Sequence, residues 1–366
     1  MTIEFPEKLG RVRSFMREQG LRALVLGRQE NFAWLTGGAR GFVNSATEAS
    51  VAWVVLTEEG VWVVTNAIEA PRMEHEELGQ PVTVVAHPWH DDGARLDRVR
   101  ELTGEGALGA DIPLSGAALV NLAPLRWTLS RLEVERLRYA ARAAAEALEA
   151  TARAILPGQT EFEIAGELAR RVLALGMEPV VNLIATDDRV YQYRHPLPTE
   201  RRLERYAMLV IGARYRGLVI SATRLVHFGP IPSHLAERLQ AVARVDAAMI
   251  AATQPGNRVA SVWEEAVAAY AAAGYAGEWQ KHHQGGLAGY LSREYRATPG
   301  AAQVIGANQA FAWNPSIAGV KSEDTILAVE GGPEILTATG DWPVVTVEAG
   351  GRTWQRPAIL QRQRRL

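Results

Sequence analysis

Apolar and polar positions change their period several times along the chain. Residues 7–19 set apolar side chains at helical spacing among charges and stop at Gly20, which predicts an amphipathic helix. LRALVLG (21–27) is an unbroken apolar run, the mark of a short buried strand, and a polar loop follows around Asn31. ASVAWVVLT and GVWVVTN read as two strands joined through Glu58-Glu59-Gly60, a hairpin signal, and VTVVAH (82–87) reads as another strand. This mixture of strand and helix runs to residue 125 or so.

From Ser130 the pattern turns helical and Ala-rich. Ser130-Arg131-Leu132-Glu133 is a capping box, in which the hydroxyl and the carboxylate satisfy N–H groups that have no partner inside the helix. The helix it opens extends to Ile155 and stops at Pro157-Gly158. Thr160–Glu163 is a second capping box, before a helix ending near Gly176. The order then returns. HLAERLQAVARVDAAMIAA ends at Pro255-Gly256, Ser261–Glu264 reads as a capping box, and the next helix ends near Gly274. Pro157 to Gly176 is 19 residues, and so is Pro255 to Gly274. Each copy leads into strand-like sequence carrying His, VVNLIATDDRVYQYRH in one and GEWQKHHQGGLAGY in the other. Two such units predict a duplicated domain with pseudo-twofold symmetry and a cleft between its halves.

A chain of 366 residues is long for one core, so two domains are expected, 1–125 and 126–366. Apolar residues make up 48% and charged residues 22%, the balance of a globular protein. A net charge of −2 gives no field to draw nucleic acid or anionic lipid, and the short basic tail (Arg362, Arg364, Arg365) is expected to be solvated. No cysteine is present, which excludes disulfides, thiolate metal sites and a Cys nucleophile. The N-terminal residues alternate charge without an apolar core, and no apolar run reaches membrane-spanning length. A cytoplasmic protein without membrane or nucleic-acid partners is the expectation.

VIGARYRGLVISATR (210–224) reads as two strands joined at Gly217, and no Asp or Glu lies between Glu204 and Glu237. That absence has meaning beside a resemblance. SRLEVERLRYAARAAAEALEATARAILPGQTEFEIA resembles the start of the catalytic domain of the creatinase/aminopeptidase P/prolidase family, the pita-bread metallopeptidases of family M24. Residues 7–37, with ENFAWLTG, resemble that family's N-terminal domain. VIGARYRGLVISATR, HHQGGLAGYLSRE and VKSEDTIL match its motifs in order and spacing. The resemblance implies a small creatinase-like α/β domain followed by a pita-bread (duplicated α+β) domain.

In active members two Asp, one His and two Glu hold a divalent pair that activates a bridging water and polarises the scissile carbonyl. The corresponding positions here are Val210 and Ser221 for the two Asp, Gly286 for the His, and Asn314 for the first Glu; Glu323 alone is retained. Gly212 and Thr223-Arg224 of the motif remain. No cofactor is therefore expected: the family's dinuclear divalent metal lacks four of its five ligands. A relocated mononuclear site on His282, His283 or Glu294 is the metal-bearing alternative.

The candidate catalytic groups are His195, His283, Glu294 and Glu323, and the candidate ligand-binding groups are Arg224, His282, Arg293, Trp313 and Asn314. His195, in YRHPLPT, resembles the His that active relatives hold near the substrate, and creatinase uses a His in this region without metal. His282 and His283, if on a strand, point to opposite faces, so one at most faces the cleft, and His283 is favoured. Glu294 follows Arg293 where the family has His-Glu; the two also fit a surface ion pair. Arg224 has two readings, a carboxylate binder or a fixed salt bridge to Glu323. Trp313 and Asn314 either contact ligand or plug the emptied cavity. Gly285, Gly286 and Gly289 lack the Lys-Ser/Thr and helix of a phosphate loop.

The expected function is a metal-depleted Xaa-Pro peptidase-like protein that binds a peptide or small metabolite. The alternatives are a metal-independent, creatinase-like C–N hydrolase using cleft His and Glu, and a residual Xaa-Pro dipeptidase or aminopeptidase activity. A homodimer is expected, from the resemblance and from the Trp-rich N-terminal stretch (Trp34, Trp53, Trp62, Trp89) as exposed apolar surface.

Overall fold

The computed structural model describes residues 4–79 and 82–363; Arg364 and Arg365 of the basic tail lie outside them. The chain divides into two compact units, residues 1–127 and 128–366. Among the described residues no helix is long and apolar enough to cross a membrane.

The first unit is built on a six-stranded mixed sheet. Its strand order is Thr83–His87, Val61–Asn66, Ala49–Thr57, Ala23–Arg28, Leu108–Ala110, Ala117–Leu119. Val25, Val55, Val64 and Ala110 turn one face of it toward Val99 of the Asp92–Thr103 helix. Asn31, expected in a loop, sits instead in the buried helix Gln29–Thr36, which ends at Gly37 in the left-handed conformation. A buried polar residue is tolerated there because both ends of its amide find a partner. Asn31 donates to Asp111 at 2.7 Å and accepts from Arg126 at 2.6 Å, while Asp111 also takes the N–H of Gly27. The tryptophans do not form one exposed face. Trp34 is fully buried, Trp53 carries the Arg95 guanidinium 4.7 Å above its ring, and Trp89 is exposed.

In the second unit both capping boxes, at Ser130 and Thr160, close as reciprocal hydrogen bonds and open the helices Arg131–Ala154 and Glu161–Ala174. In the second copy the helices are Ser233–Ala252 and Val259–Ala272. The third capping box does not form: the helix starts at Val259, two residues before Ser261. Tertiary pairing sets that start, since the Val259 N–H is already taken by Gln303 and Arg258 bridges to Val304.

The strands Tyr206–Tyr215 and Leu218–Phe228 form the long hairpin, closed by Arg216 and Gly217, both at positive φ (46° and 83°). That is the two-residue turn whose twist suits a hairpin. Glu178–Thr186 flanks it on one side and Ile359–Arg362 on the other. Arg362 is not merely solvated: it donates to the carbonyl of Ile155 and lies over the Phe228 ring. A second, five-stranded sheet has the order Tyr295–Arg296, Gly285–Ala288, Gln309–Trp313, Asp324–Ala328, Glu334–Ile335. Ser221 and Thr325 stitch the two sheets together with paired hydrogen bonds of 2.8 and 2.9 Å. Positions 221, 223 and 323 come together along this seam.

Candidate functional site

The hairpin brings Val210 opposite Thr223 and Gly212 opposite Ser221. Val210 and Ser221 are both buried. Gly286 is paired on both sides, to Ala312 and to Arg296. A Cβ built on Gly286 would run into the Tyr295 carbonyl oxygen and lie 2.8 Å from the Arg296 Cα. A side chain of any kind at this position needs the neighbouring main chain to move. Asn314 is buried, with its N–H on the Gln284 carbonyl at 3.1 Å and its Oδ1 unpartnered.

Glu323 is buried and enclosed by cations. Lys321 Nζ is 2.7 Å from Oε2, Arg293 Nη2 is 3.2 Å from Oε1, and the Thr223 hydroxyl donates to Oε2 at 2.6 Å. Burial alone would raise its pKa, but Lys321 and Arg293 outweigh burial and hold the carboxyl below its ordinary range. Arg293 also reaches Ser221 Oγ at 3.4 Å, so one guanidinium spans positions 221 and 323. Burial lowers its own pKa, opposed by Glu323. Sequence reasoning missed Lys321. The signal was present: residues two apart in an extended chain share a face, which puts Lys321 beside Glu323.

Several candidates lie elsewhere. Arg224 does not meet Glu323 and has no donor turned to the cleft. Its guanidinium, almost wholly buried, donates to Glu149 and Asp324, both at 3.0 Å, and to the carbonyls of Thr223 and Thr337. Side chains alternate along the strand, so Arg224 points away from the face that carries Thr223. Trp313 is core: fully buried, stacked on Phe311, its indole N–H on Thr253 Oγ1 at 2.9 Å. Glu294 accepts the Tyr290 N–H at 3.1 Å and so ties its own turn.

The histidines form the second half of the site. His195 Nε2 lies 3.0 Å from His282 Nε2, and the His282 and His283 rings stack with centroids 4.6 Å apart. The His195 and His283 rings are 5.6 Å apart. The strand alternation expected for 282 and 283 does not apply. Residues 282–284 are not a strand but a bend between the 3-10 turn Glu278–Lys281 and the strand at Gly285, so both rings fall on one side. The same 3-10 turn anchors the opposing loop, since Arg194, next to His195, pairs with Glu278 at 2.5 Å. Burial, then the positive charge of Lys321, lowers the His282 pKa to about 2; burial, then Arg293, takes His283 to about 4. His195 is lowered in the same way. His282 and His283 are therefore neutral near pH 7.

Comparison with known proteins accords with this architecture. Residues 135–330 match the model of metallopeptidase family M24, and residues 8–112 match the creatinase/prolidase N-terminal domain. An uncharacterized peptidase of Staphylococcus saprophyticus is 28% identical over 227 residues, covering 58% of this chain and 63% of that relative's length. The chain thus spans under two thirds of that relative. An Xaa-Pro dipeptidase from Bacillus anthracis superposes with a TM-score of 0.76 at 20% identity, over 97% of this chain and 99% of its own. The prolidase from Pyrococcus horikoshii gives 0.77 at 20% identity, over 91% and 98%. At such identities these structures speak for the fold alone. The chain belongs to metallopeptidase family M24.

Proposed function

We propose that this member of the M24 family binds a peptide or small metabolite in its pita-bread cleft and holds no dinuclear metal centre. The ion-paired state of Glu323 carries the reading. The one retained acidic position already has two cations and a hydroxyl on its two oxygens. Val210, Ser221, Gly286 and Asn314 supply no charge to offset two divalent ions. Gly286 could not be exchanged for a ligating His without moving the Tyr295–Arg296 backbone. The residues present therefore do not fit a metal pair. Lys321 and Arg293 against Glu323 alone leave one net positive charge, a site suited to the carboxylate end of a ligand. We further propose a cytoplasmic homodimer, in which exposed Trp89 belongs to the interface. Light scattering that finds a monomer at micromolar concentration removes the dimer.

Elemental analysis of purified protein is the direct test, and two transition-metal ions per chain would refute the proposal. A panel of Xaa-Pro dipeptides and creatine-like amidines, with and without chelator, then separates the alternatives. The proposal expects binding, read as a rise in Tm, without turnover. Turnover that survives chelator but is lost in His195→Ala would mean creatinase-like chemistry instead, for which the His195–His282 contact is the supporting geometry. Turnover abolished by chelator would mean a working Xaa-Pro peptidase.

A further inference from the structure

We propose that His195, His282 and His283 form a mononuclear site for a borderline transition metal, Zn²⁺ first among them, beside the Glu323 cluster and independent of it. Each histidine offers one ring nitrogen, and the three atoms lie within 4.8 Å of one another. Zn–N bonds of about 2.0–2.1 Å place the nitrogens of a tetrahedral site about 3.3 Å apart. The His195–His282 pair, at 3.0 Å, is already near that edge length. The rest of the closure falls to His195, which is exposed on its loop, and to the His283 ring, whose contact with the Gly285 N–H is a long 3.3 Å.

The chemistry of the cluster favours an ion. Two neutral imidazoles facing each other through Nε2 share a single proton, so one lone pair always depends on the other ring. A metal ion takes a lone pair from each of the three rings and leaves a fourth position for water, the open three-ligand pattern. Three imidazoles select d-block ions such as Zn²⁺, Ni²⁺ or Cu²⁺ over Mg²⁺ and Ca²⁺, which require oxygen. The buried Nδ1 of His282 lacks a partner with or without an ion, so it does not weigh against binding. Nearby cations do oppose it: Lys321, Arg293, Arg296 and Arg194 all act on this cluster. Arg194 shares Glu278 with Lys281, and Lys321 and Arg293 share Glu323. The residual repulsion is screened by salt, so affinity should rise with ionic strength, opposite to a site built from carboxylates.

Chelator-stripped protein is titrated with Co²⁺ and followed by visible absorption. Saturation at one equivalent with intense tetrahedral bands, displaced by Zn²⁺, is the expected result. His195→Ala sits on an exposed loop and His282→Ala in the buried bend; each should weaken binding at least about tenfold. His90→Ala, on the exposed surface of the first unit, serves as the control and should change nothing. If His282→Ala fails to fold, His195→Ala alone decides. Absence of saturable tetrahedral absorption overturns the inference, as does full binding by His195→Ala. Two ions per chain that persist in both His variants would overturn this inference and the metal-free reading of Glu323 together; one ion lost with the His variants supports this site and leaves that reading intact.

Discussion

Glu323 and Asp324 are neighbours in sequence and face opposite environments. Asp324 points into the core, where Arg224 donates to it at 3.0 Å, Arg356 at 2.6 Å and the Thr337 hydroxyl at 2.7 Å. Arg224 also holds Glu149, and Arg356 also holds Asp246, which accepts from Ser322. Five buried charges thus alternate, carboxylate to guanidinium, with each arginine between two acids. Arg153, 3.7 Å from Glu149 at the end of the chain of charges, adds a third cation, so acids and bases match in number. Burial raises the Asp246 pKa against the pull of Arg356. Glu323 has the reverse arrangement, one carboxylate between two cations. In the core Asp324 is held between two buried guanidinium groups, one on each oxygen, whereas the cleft keeps a surplus of positive charge. The difference separates a structural network from the cluster that we propose receives a ligand carboxylate.

Breaking the core side should have the largest effect. Asp324→Ala leaves two buried guanidinium groups short of a partner, and urea denaturation should register a loss of about 3–5 kcal/mol. Thr337→Val removes the hydroxyl's bond to the same carboxylate and the one it accepts from the Thr325 N–H, and should cost about 2 kcal/mol by the same measurement. Asp324 is also the acid-sensitive member. Burial opposes its charge, but Arg224 and Arg356 prevail and hold its pKa below the ordinary value of 3.8. Its stabilisation is therefore complete above that ordinary value and is lost as pH falls from there toward the depressed folded pKa. Denaturation at a series of pH values should show an acid limb that is shallower in Asp324→Asn, by at most ~1.4 kcal/mol per pH unit, one proton's worth.

The cleft side should respond in the opposite sense. Lys321→Met removes the surplus charge while Glu323 keeps Arg293 and Thr223. Stability should change by less than about 1 kcal/mol, the range of a substitution that leaves no buried charge unpaired. Binding of a peptide carboxylate, read by thermal shift, should nevertheless disappear. A loss from Lys321→Met as large as that from Asp324→Ala would erase the distinction between the two regions.

Much of the fold was legible because its signals are local. A capping box needs four residues, and Ser130 and Thr160 carry theirs complete. Ser261 carries the same letters, yet pairing of Val259 to a chain segment more than forty residues downstream overrides them. The loss of acid between Glu204 and Glu237 was equally plain, because a missing residue type requires no geometry to detect. What occupied the vacated space was harder to read. Arg293 was noticed as a cation where the family has His, but its span from Ser221 to Glu323 depends on how two sheets meet.

By itself, then, the sequence determined the hairpin with its turn at Gly217, the two working capping boxes and the family. Each of these depends on neighbours in the chain or on residue identity alone. Only the tertiary structure decided which side each charged group serves. It turned Arg224 from a candidate ligand binder into the partner of Glu149, 75 residues away, and of Asp324, 100 residues away. It also brought His195 to His282 across 87 residues, through a bend that no strand period predicts. The reason is physical: a buried charge must find an opposite charge wherever the packing puts one, and sequence distance does not enter that requirement.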